Sequence, residues 1–300
     1  MMKELLCIPY GGLNDTLVQI SRCYEYAKIY KRQLLIDTSK SGIFLDFGLY
    51  FEFNPQLDYK VTTVIDDDTF DRLNSYLNVK PFEFKGMIRD VALRHVITPE
   101  YKGYTFSNSG KPTSFDFSSD HMEDLLIHLN CGGGIASHSL IPCLRITQRI
   151  QGRILSYLSS LPLDYIAFHI GNTDIKTDFI TLFKATAPNL RGRNVLVCSD
   201  DSHVIAVAKD IFVESTIYSN DKVYYTSGHL SLHSRENYRD LNEMDDATIV
   251  SLCDLFALAF SSQLIIAKHR GNWYSGFSRL AYELFQNKEM SRMVLGVSLI

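Results

Sequence analysis

No run of apolar residues in the sequence approaches the roughly 20 that a bilayer core requires, so no transmembrane helix is expected. Basic residues are not in excess: 30 Lys and Arg stand against 34 Asp and Glu, dispersed along the chain, which argues against a nucleic-acid-binding face. The six cysteines (Cys7, Cys23, Cys131, Cys143, Cys198, Cys253) include no Cys-x-x-Cys pair and no His at zinc-ligand spacing. They read as reduced core thiols, not a metal site or a disulfide framework. A complete Gly-x-Gly-x-x-Gly is absent, which weakens a dinucleotide oxidoreductase. The first residues hold too short an apolar stretch for a signal peptide and read as a first strand. A cytoplasmic protein is expected. Peripheral attachment to membrane-borne glycan carriers is compatible with this, although no basic amphipathic anchor argues for it. Tryptophan occurs once, whereas Tyr and Phe number 17 and 18, a supply that suits sugar-stacking surfaces and ordinary cores alike.

Hydrophobic residues make up 46% and charged residues 21%, the balance of a soluble globular protein, and 300 residues allow one large or two medium domains. The central stretch runs from Tyr165 to Asp178. Tyr165 to His169 suits a buried strand; the Gly-Asn-Thr-Asp that follows the strand forces a turn at its carboxyl end, where α/β proteins place their chemistry. The turn carries His169, Asp174, Lys176 and Asp178 before an amphipathic stretch from Phe179 to Ala187. Asp174 and Asp178 are either site carboxylates or caps of that helix.

Upstream, Leu5 to Pro9 reads as a strand, Tyr10-Gly11-Gly12-Leu13-Asn14-Asp15 as a glycine turn opening a helix, and Gln33 to Asp37 as a second strand, a β-α-β unit. Two glycines before a helix either make a tight turn or let a ligand approach the backbone. A strand is expected over Lys60 to Ile65. Asp66-Asp67-Asp68 complements the dipole of the helix that follows. Cys131 to Ile135, with three glycines, is a flexible loop. Pro142 to Leu158 reads as one long helix, with the domain boundary just before or within it. Beyond Phe179 to Ala187 come a strand (Asn194 to Cys198), a turn (Ser199-Asp200-Asp201), a helix to Phe212, and a strand at Ser215 to Tyr218. Leu230 to Asp240 is a polar, exposed loop, and Gly228-His229 and His233 there either reach the cleft or are solvated. A helix (Asp246 to Phe260), a strand (Gln263 to Ala267), a loop (Lys268 to Gly276) and a last full helix (Phe277 to Gln286) complete the chain. Strand and helix alternate, as in a parallel sheet covered on both faces.

Four short segments then resemble, in order, motifs of the fucosyltransferase superfamily that includes α-1,6-, nodulation and protein O-fucosyltransferases. Gly11-Gly12-Leu13-Asn14-Asp15 resembles its opening Gly-Gly-Leu-(Gly)-Asn-Gln loop, and His169 to Asp174 its His-x-Arg-x-x-Asp motif. Ser199-Asp200-Asp201 is similar to its Thr/Ser-Asp-Asp turn. Asp254-Leu-Phe-Ala-Leu-Ala, with the strand and Ser275 to Gln286 that follow, resembles its donor-binding segment. The resemblance implies an α/β fold of GT-B type, two Rossmann-like domains facing a central cleft, with residues 1–141 on the acceptor side and 142–300 binding a nucleotide-sugar donor. It implies that His169, Asn172 and Asp200 or Asp201 meet the nucleoside. It also implies that Ser275, Gly276, Phe277 and Ser278 hold the donor phosphate at a helix start.

Where the family has a phosphate-binding arginine, this chain has Gly171, and a glycine supplies no bidentate charged contact. Either another cation substitutes (Lys268, Arg270 or Arg193), or the donor is not GDP-fucose, or the site is degenerate. The expected activity is transfer of a sugar to a glycan or lipid-linked acceptor, with inversion and without a metal or other cofactor. Asp174 or Asp178 would serve as base, and Asn14 and Asp15 stand with them as catalytic candidates. The alternative is a non-catalytic glycan- or nucleotide-binding module on the same scaffold.

Overall fold

The computed structural model describes residues 3–55, 59–98, 102–173, 176–220, 236, 238–269, 271 and 273–297. The chain divides into two compact units, Met1–Arg145 and Ile146–Ile300.

The first unit is built on a five-stranded sheet. Its elements are β1 (Glu4–Pro9), α1 (Leu13–Ile29), β2 (Gln33–Ile36), β3 (Phe51–Phe53), β4 (Val61–Thr62), α2 (Asp67–Asn74), β5 (Val79–Lys80), β6 (Leu93–Ile97), β7 (Lys102–Phe106), β8 (Leu125–Asn130) and α3 (Ser137–Leu140). The sheet order is β4-β2-β1-β8-β5 and the pairs are parallel. β1 lies at the centre and is buried along its whole length, as its apolar run Leu-Leu-Cys-Ile requires. Glu4 opens that strand from a buried position, where its carboxylate accepts from Arg72 Nη1 (2.6 Å) and Tyr76 Oη (2.8 Å). The return from α1 to β2 is pinned by Arg32, fully buried, which donates to the carbonyls of Glu123 and His121. Asp66 caps α2, accepting from the Thr69 amide at 2.8 Å.

Two expectations need correction here. The strand over Lys60 to Ile65 shrinks to Val61–Thr62, because at the sheet edge only those residues pair, with Leu34 and Leu35 of β2. The loosely patterned stretch from Ser39 to Ser119 contains an antiparallel hairpin, β6 with β7, that periodicity did not reveal.

The segment from Pro142 to Leu158 is not one helix. Ile141–Cys143 forms a single tight turn, Leu144–Ile146 is an extended strand, β9, and α4 starts only at Gln148 and ends at Ser160. Leu144 and Ile146 are buried while Arg145 is half-buried, a period of two that the longer helical spacing masked.

The second unit holds β10 (Ile166–Ile170), α5 (Phe179–Thr186), β11 (Asn194–Ser199), α6 (Ser202–Ile211), β12 (Thr216–Tyr218), α7 (Leu241–Phe260), β13 (Gln263–Ile266), α8 (Gly276–Gln286) and α9 (Lys288–Leu295). Its sheet order is β12-β11-β10-β13, all parallel, so the carboxyl ends of β10, β11 and β13 share one edge. Alternation along β10 sorts its side chains. Ile166, Phe168 and Ile170 pack with α5 and α6 through Phe179, Phe183, Val204 and Phe212. Tyr165 and His169 project to the opposite face, toward α7 and α8: Tyr165 Oη donates to the Ala257 carbonyl at 2.6 Å, and His169 meets Ser278.

α7 begins at Leu241, earlier than the expected Asp246, because Asp240 accepts from the amides of Asn242 and Glu243 and so caps the helix there. α8 is not the last helix either. Asn287 caps a further one, α9, which stops at Gly296 in the left-handed conformation (φ 73°). Most of the loop expected over Leu230 to Asp240, with His229 and His233, lies outside the described residues. None of the cysteines is in a disulfide, and no helix among the described residues is long and apolar enough to cross a membrane.

Phe168 is fully buried, with its ring 5.5 Å from that of Phe183 and 5.6 Å from that of Phe212. Phe168→Ala is therefore expected to destabilise the protein by about 3–5 kcal/mol, measured by urea unfolding. A loss below about 1 kcal/mol would contradict this packing.

Candidate functional site

The shared edge of β10, β11 and β13 gathers polar residues from three separate loops. His169, one residue from the end of β10, is buried, and its Nδ1 lies 2.7 Å from Ser278 Oγ in the first turn of α8. Ser278 Oγ is in turn 2.8 Å from Ser275 Oγ, which also accepts from the Ser278 amide at 3.0 Å and so caps the helix. The Phe277 ring stacks on the imidazole at a centroid distance of 5.0 Å. Burial first, and then the neighbouring His269, pushes the His169 pKa down to about 4, so the ring is neutral at pH 7. Strand β10 and helix α8 thus meet through an uncharged chain of hydroxyls and an imidazole. The helix start beside it carries amides with no intrahelical acceptor.

The loop after β10 is organised by Asn172. Its amide donates to Asp200 Oδ1 (2.7 Å), its Nδ2 to Asp201 Oδ2 (2.8 Å), and its Oδ1 accepts from the Thr177 amide (3.1 Å). Thr173 Oγ1 donates to the second Asp200 oxygen at 2.6 Å, while the other Asp201 oxygen caps α6 through the His203 amide. The two aspartates thus fasten the β10 loop to the β11 loop. Lys176 Nζ donates to the Asn172 carbonyl at 2.6 Å and brings a cation to the same turn. Asp178 takes the cap role, accepting from the Thr181 amide at 3.3 Å, and its side chain is exposed.

The third loop contributes a residue that the sequence reading passed over. His269, between Lys268 and Arg270, is buried, bridges to Thr177 through its backbone, and lies against the Trp273 indole at 4.3 Å. Its position just past β13 on the active edge of a parallel sheet was the available signal. Gly171 sits between the two histidines: a Cβ there would lie 3.8 Å from His269 Cε1 and 4.0 Å from His169 Cε1, ordinary contact distances. Lys268 places its Nζ 5.5 Å from the Tyr274 ring centroid. Asp174 and Arg270 lie outside the described residues. Arg193 does not belong to this edge. It precedes β11 and pairs with Asp164 at 3.2 Å, at the amino end of the strand, about 20 Å along from the site.

In the first unit, a second set of candidates clusters at the carboxyl ends of β1 and β8. Gly11 adopts φ 95°, which admits the turn into α1. Asn14, buried, accepts from Ser137 Oγ (2.7 Å) and donates to the Gly134 carbonyl (3.2 Å). Asp15 is flanked by glycines. A Cβ at Gly11 would come within 2.6 Å of Asp15 Oδ2, and one at Gly133 within 2.5 Å of Oδ1, so neither position accepts a side chain without moving the carboxylate. The glycine loop is held by Gln19, whose Nε2 donates to the Gly132 carbonyl at 2.6 Å and whose Oε1 faces His128 Nε2 at 2.8 Å. His128 Nδ1 lies 2.5 Å from Ser114 Oγ, and burial pushes the His128 pKa down to about 3.

No protein-family profile and no curated protein matches the chain in sequence. Solved structures do match. The fucosyltransferase NodZ from Bradyrhizobium superposes with a TM-score of 0.60 at 15% identity, over 94% of this chain and 92% of that one. NodZ α-1,6-fucosyltransferase soaked with GDP-fucose gives 0.56 at 14% identity, over 95% and 93%. The chain has the fucosyltransferase-like fold. A mutant of Arabidopsis thaliana FUT1 in complex with GDP adds a TM-score of 0.52 at 14% identity, over 95% of this chain and 69% of that one. Three of the four sequence segments lie just after β1, β10 and β11, at strand ends or helix starts; the fourth covers the second half of α7, β13 and α8.

Two neutral buried histidines inside this fucosyltransferase-like fold make its stability sensitive to acid. Between about pH 6.5, where a free imidazole titrates, and about pH 4, the unfolded chain takes up a proton that folded His169 refuses. Stability from this residue is complete above the window and falls as pH falls through it, by on the order of 3 kcal/mol. Urea unfolding at several pH values is expected to show this slope reduced in His169→Asn relative to the parent. Identical slopes would mean that the imidazole is not held neutral.

Proposed function

We propose that the chain is a glycosyltransferase that moves a sugar from a nucleotide-sugar donor to a glycan or lipid-linked saccharide acceptor. The observation that carries this reading is the continuous contact from His169 through Ser278 to Ser275 at the start of α8, beside the pinned Asn172–Asp200–Asp201 turn, in a fold shared with a fucosyltransferase solved with GDP-fucose. Helix-start amides and serine hydroxyls suit the oxygens of a diphosphate, and the neutral imidazole of His169 beside them suits a nucleoside.

In this reading the fold works as GT-B, with the donor on the second of two Rossmann-like domains. The acceptor oxygen attacks the anomeric carbon, its proton passes to a carboxylate, and the bond to phosphate breaks with its electron pair leaving on the nucleoside diphosphate. Configuration inverts. The charge developing on the phosphate is met by the α8 amides, Ser275 and Ser278, with Lys176 and Lys268 as cations of the same edge and Arg270, outside the described residues, as a further candidate from the sequence; no metal is required by this scheme. Asp174 is the first candidate for the base and Asp178 the second, while Asn14 and Asp15 would orient the acceptor from the first domain.

A second reading, a non-catalytic nucleotide- or glycan-binding module, draws on two observations: Gly171 replaces the arginine that the resemblance calls for, and Asp178 is occupied as a helix cap. Thermal shift with GDP, UDP, CMP and dTDP sugars, followed by hydrolysis and transfer assays, separates the two. Stabilisation with turnover is expected; stabilisation by a nucleotide with no turnover on any acceptor favours the module.

Asp174→Asn is expected to lower turnover at least about a hundredfold. Asp178→Asn conserves the cap, so its stability should stay within about 0.5 kcal/mol of the parent. A normal rate in Asp174→Asn with a collapsed rate in Asp178→Asn would transfer the base role to Asp178.

A further inference from the structure

His269 is buried, 5% exposed, and closely held, yet one of its polar atoms is left out of every network around it. Its amide donates to the Trp273 carbonyl at 2.9 Å, its backbone bridges to Thr177, and its ring lies against the indole of Trp273. Among the described residues, Nδ1 has no hydrogen-bond partner. Leaving a buried imidazole nitrogen unmet is unfavourable, and a phenyl ring would fill the same space against Trp273 without that penalty. A histidine is therefore needed here for something other than packing.

The surroundings indicate what it meets. The ring's Cε1, which lies between its two nitrogens, borders the space over Gly171, where a Cβ would sit 3.8 Å from it and 4.0 Å from Cε1 of His169. That space is free because position 171 carries no side chain. It adjoins the start of α8, since His169 contacts Ser278 at 2.7 Å. α8 runs eleven residues, long enough for its first-turn amides to favour an anion. The imidazole that carries the unpartnered nitrogen and that of His169, which contacts the first turn of α8, thus border the Cβ-sized space over Gly171, and their neighbours at the helix start, two hydroxyls and the first-turn amides, can donate hydrogen bonds.

We propose that His269 binds ligand directly: with its proton on Nδ1, it donates to a phosphate oxygen of a nucleoside diphosphate seated over Gly171 against the first turn of α8. The identity of the anion rests on the nucleotide-sugar reading above. The role of His269 concerns binding alone and does not depend on transfer.

The test is isothermal titration of the full chain with GDP, UDP, CDP and dTDP, and with the nucleoside matching whichever binds. His269→Phe keeps a ring against Trp273 and removes both nitrogens; its melting temperature is expected to equal or exceed the parent's. Its affinity for the diphosphate should fall at least about tenfold, with affinity for the nucleoside unchanged. His269→Asn, whose side-chain amide can present an N–H near the Nδ1 position, should stay within about threefold of the parent for both. His269→Leu provides the same comparison as Phe should the phenyl variant not fold. Parent-like diphosphate binding in the Phe or Leu variant, or equal losses for nucleoside and diphosphate, would overturn the assignment while leaving the nucleotide-sugar reading intact. Failure of the parent to bind any of the four diphosphates would remove that reading and the assignment together. Diphosphate binding without transfer would remove only the enzymatic reading.

Discussion

The contact between His169 Nδ1 and Ser278 Oγ joins residues 109 positions apart and sets the geometry of the whole edge of the second sheet. It exists because β10 is buried on both faces and its side chains alternate. Ile166, Phe168 and Ile170 enter the core with α5 and α6, which leaves His169 facing α8. A slip of one residue would turn the imidazole into that apolar core and Phe168 toward the serines. Register, core packing and site are therefore one constraint. Burial also keeps the ring uncharged, so its bond to Ser278 holds without a buried ion to compensate.

Beyond the strand, the backbone must turn at the sheet edge with its polar groups satisfied. Asn172 does this by bonding through its amide, its Nδ2 and its Oδ1 at once, to Asp200, Asp201 and Thr177. The carboxylates of the Ser199-Asp200-Asp201 turn are thus spent largely on holding the neighbouring loop and capping α6. Rigidity achieved in this way holds the histidines, serines and helix amides of this edge in place. The first unit meets the same problem with the same chemistry. His128, buried and neutral, contacts Gln19, and Gln19 holds the Gly132 carbonyl of a loop whose glycines make room for Asp15. In both units a buried histidine on a parallel strand acts through one intermediary side chain on a strand-end loop or helix start.

Strong periodic signals and caps carried well from sequence to fold. β1, α1, β2, β10, α5, β11 and α6 begin and end within a residue or two of their expected bounds, since long apolar alternation and Ser or Asp caps are local properties. The failures have physical causes. Leu144–Ile146 shares its leucine and isoleucine with a helical pattern, and only its extended backbone and the alternation of buried with half-buried residues separate strand from helix. Asp240 and Asn287 are caps whose effect extends α7 and creates α9, but a cap residue looks like any loop residue until a helix is present to use it. Arg193 is a candidate because it stands near a strand end, but that end is the amino end of β11, opposite the site edge.

The sequence alone determined that the chain is α/β, that glycine turns follow two of its strands, and that His169, Asp200, Ser275 and Ser278 stand at strand ends or helix starts. These follow from periodicity and turn chemistry, which act over a few residues. Only the tertiary structure decided which of those ends meet, that the aspartates fasten Asn172 and Thr173, and that His269 lies beside Gly171 with a nitrogen unmet. Pairing order in a sheet and the partners of a buried polar atom depend on residues a hundred positions away, and local pattern holds no record of them.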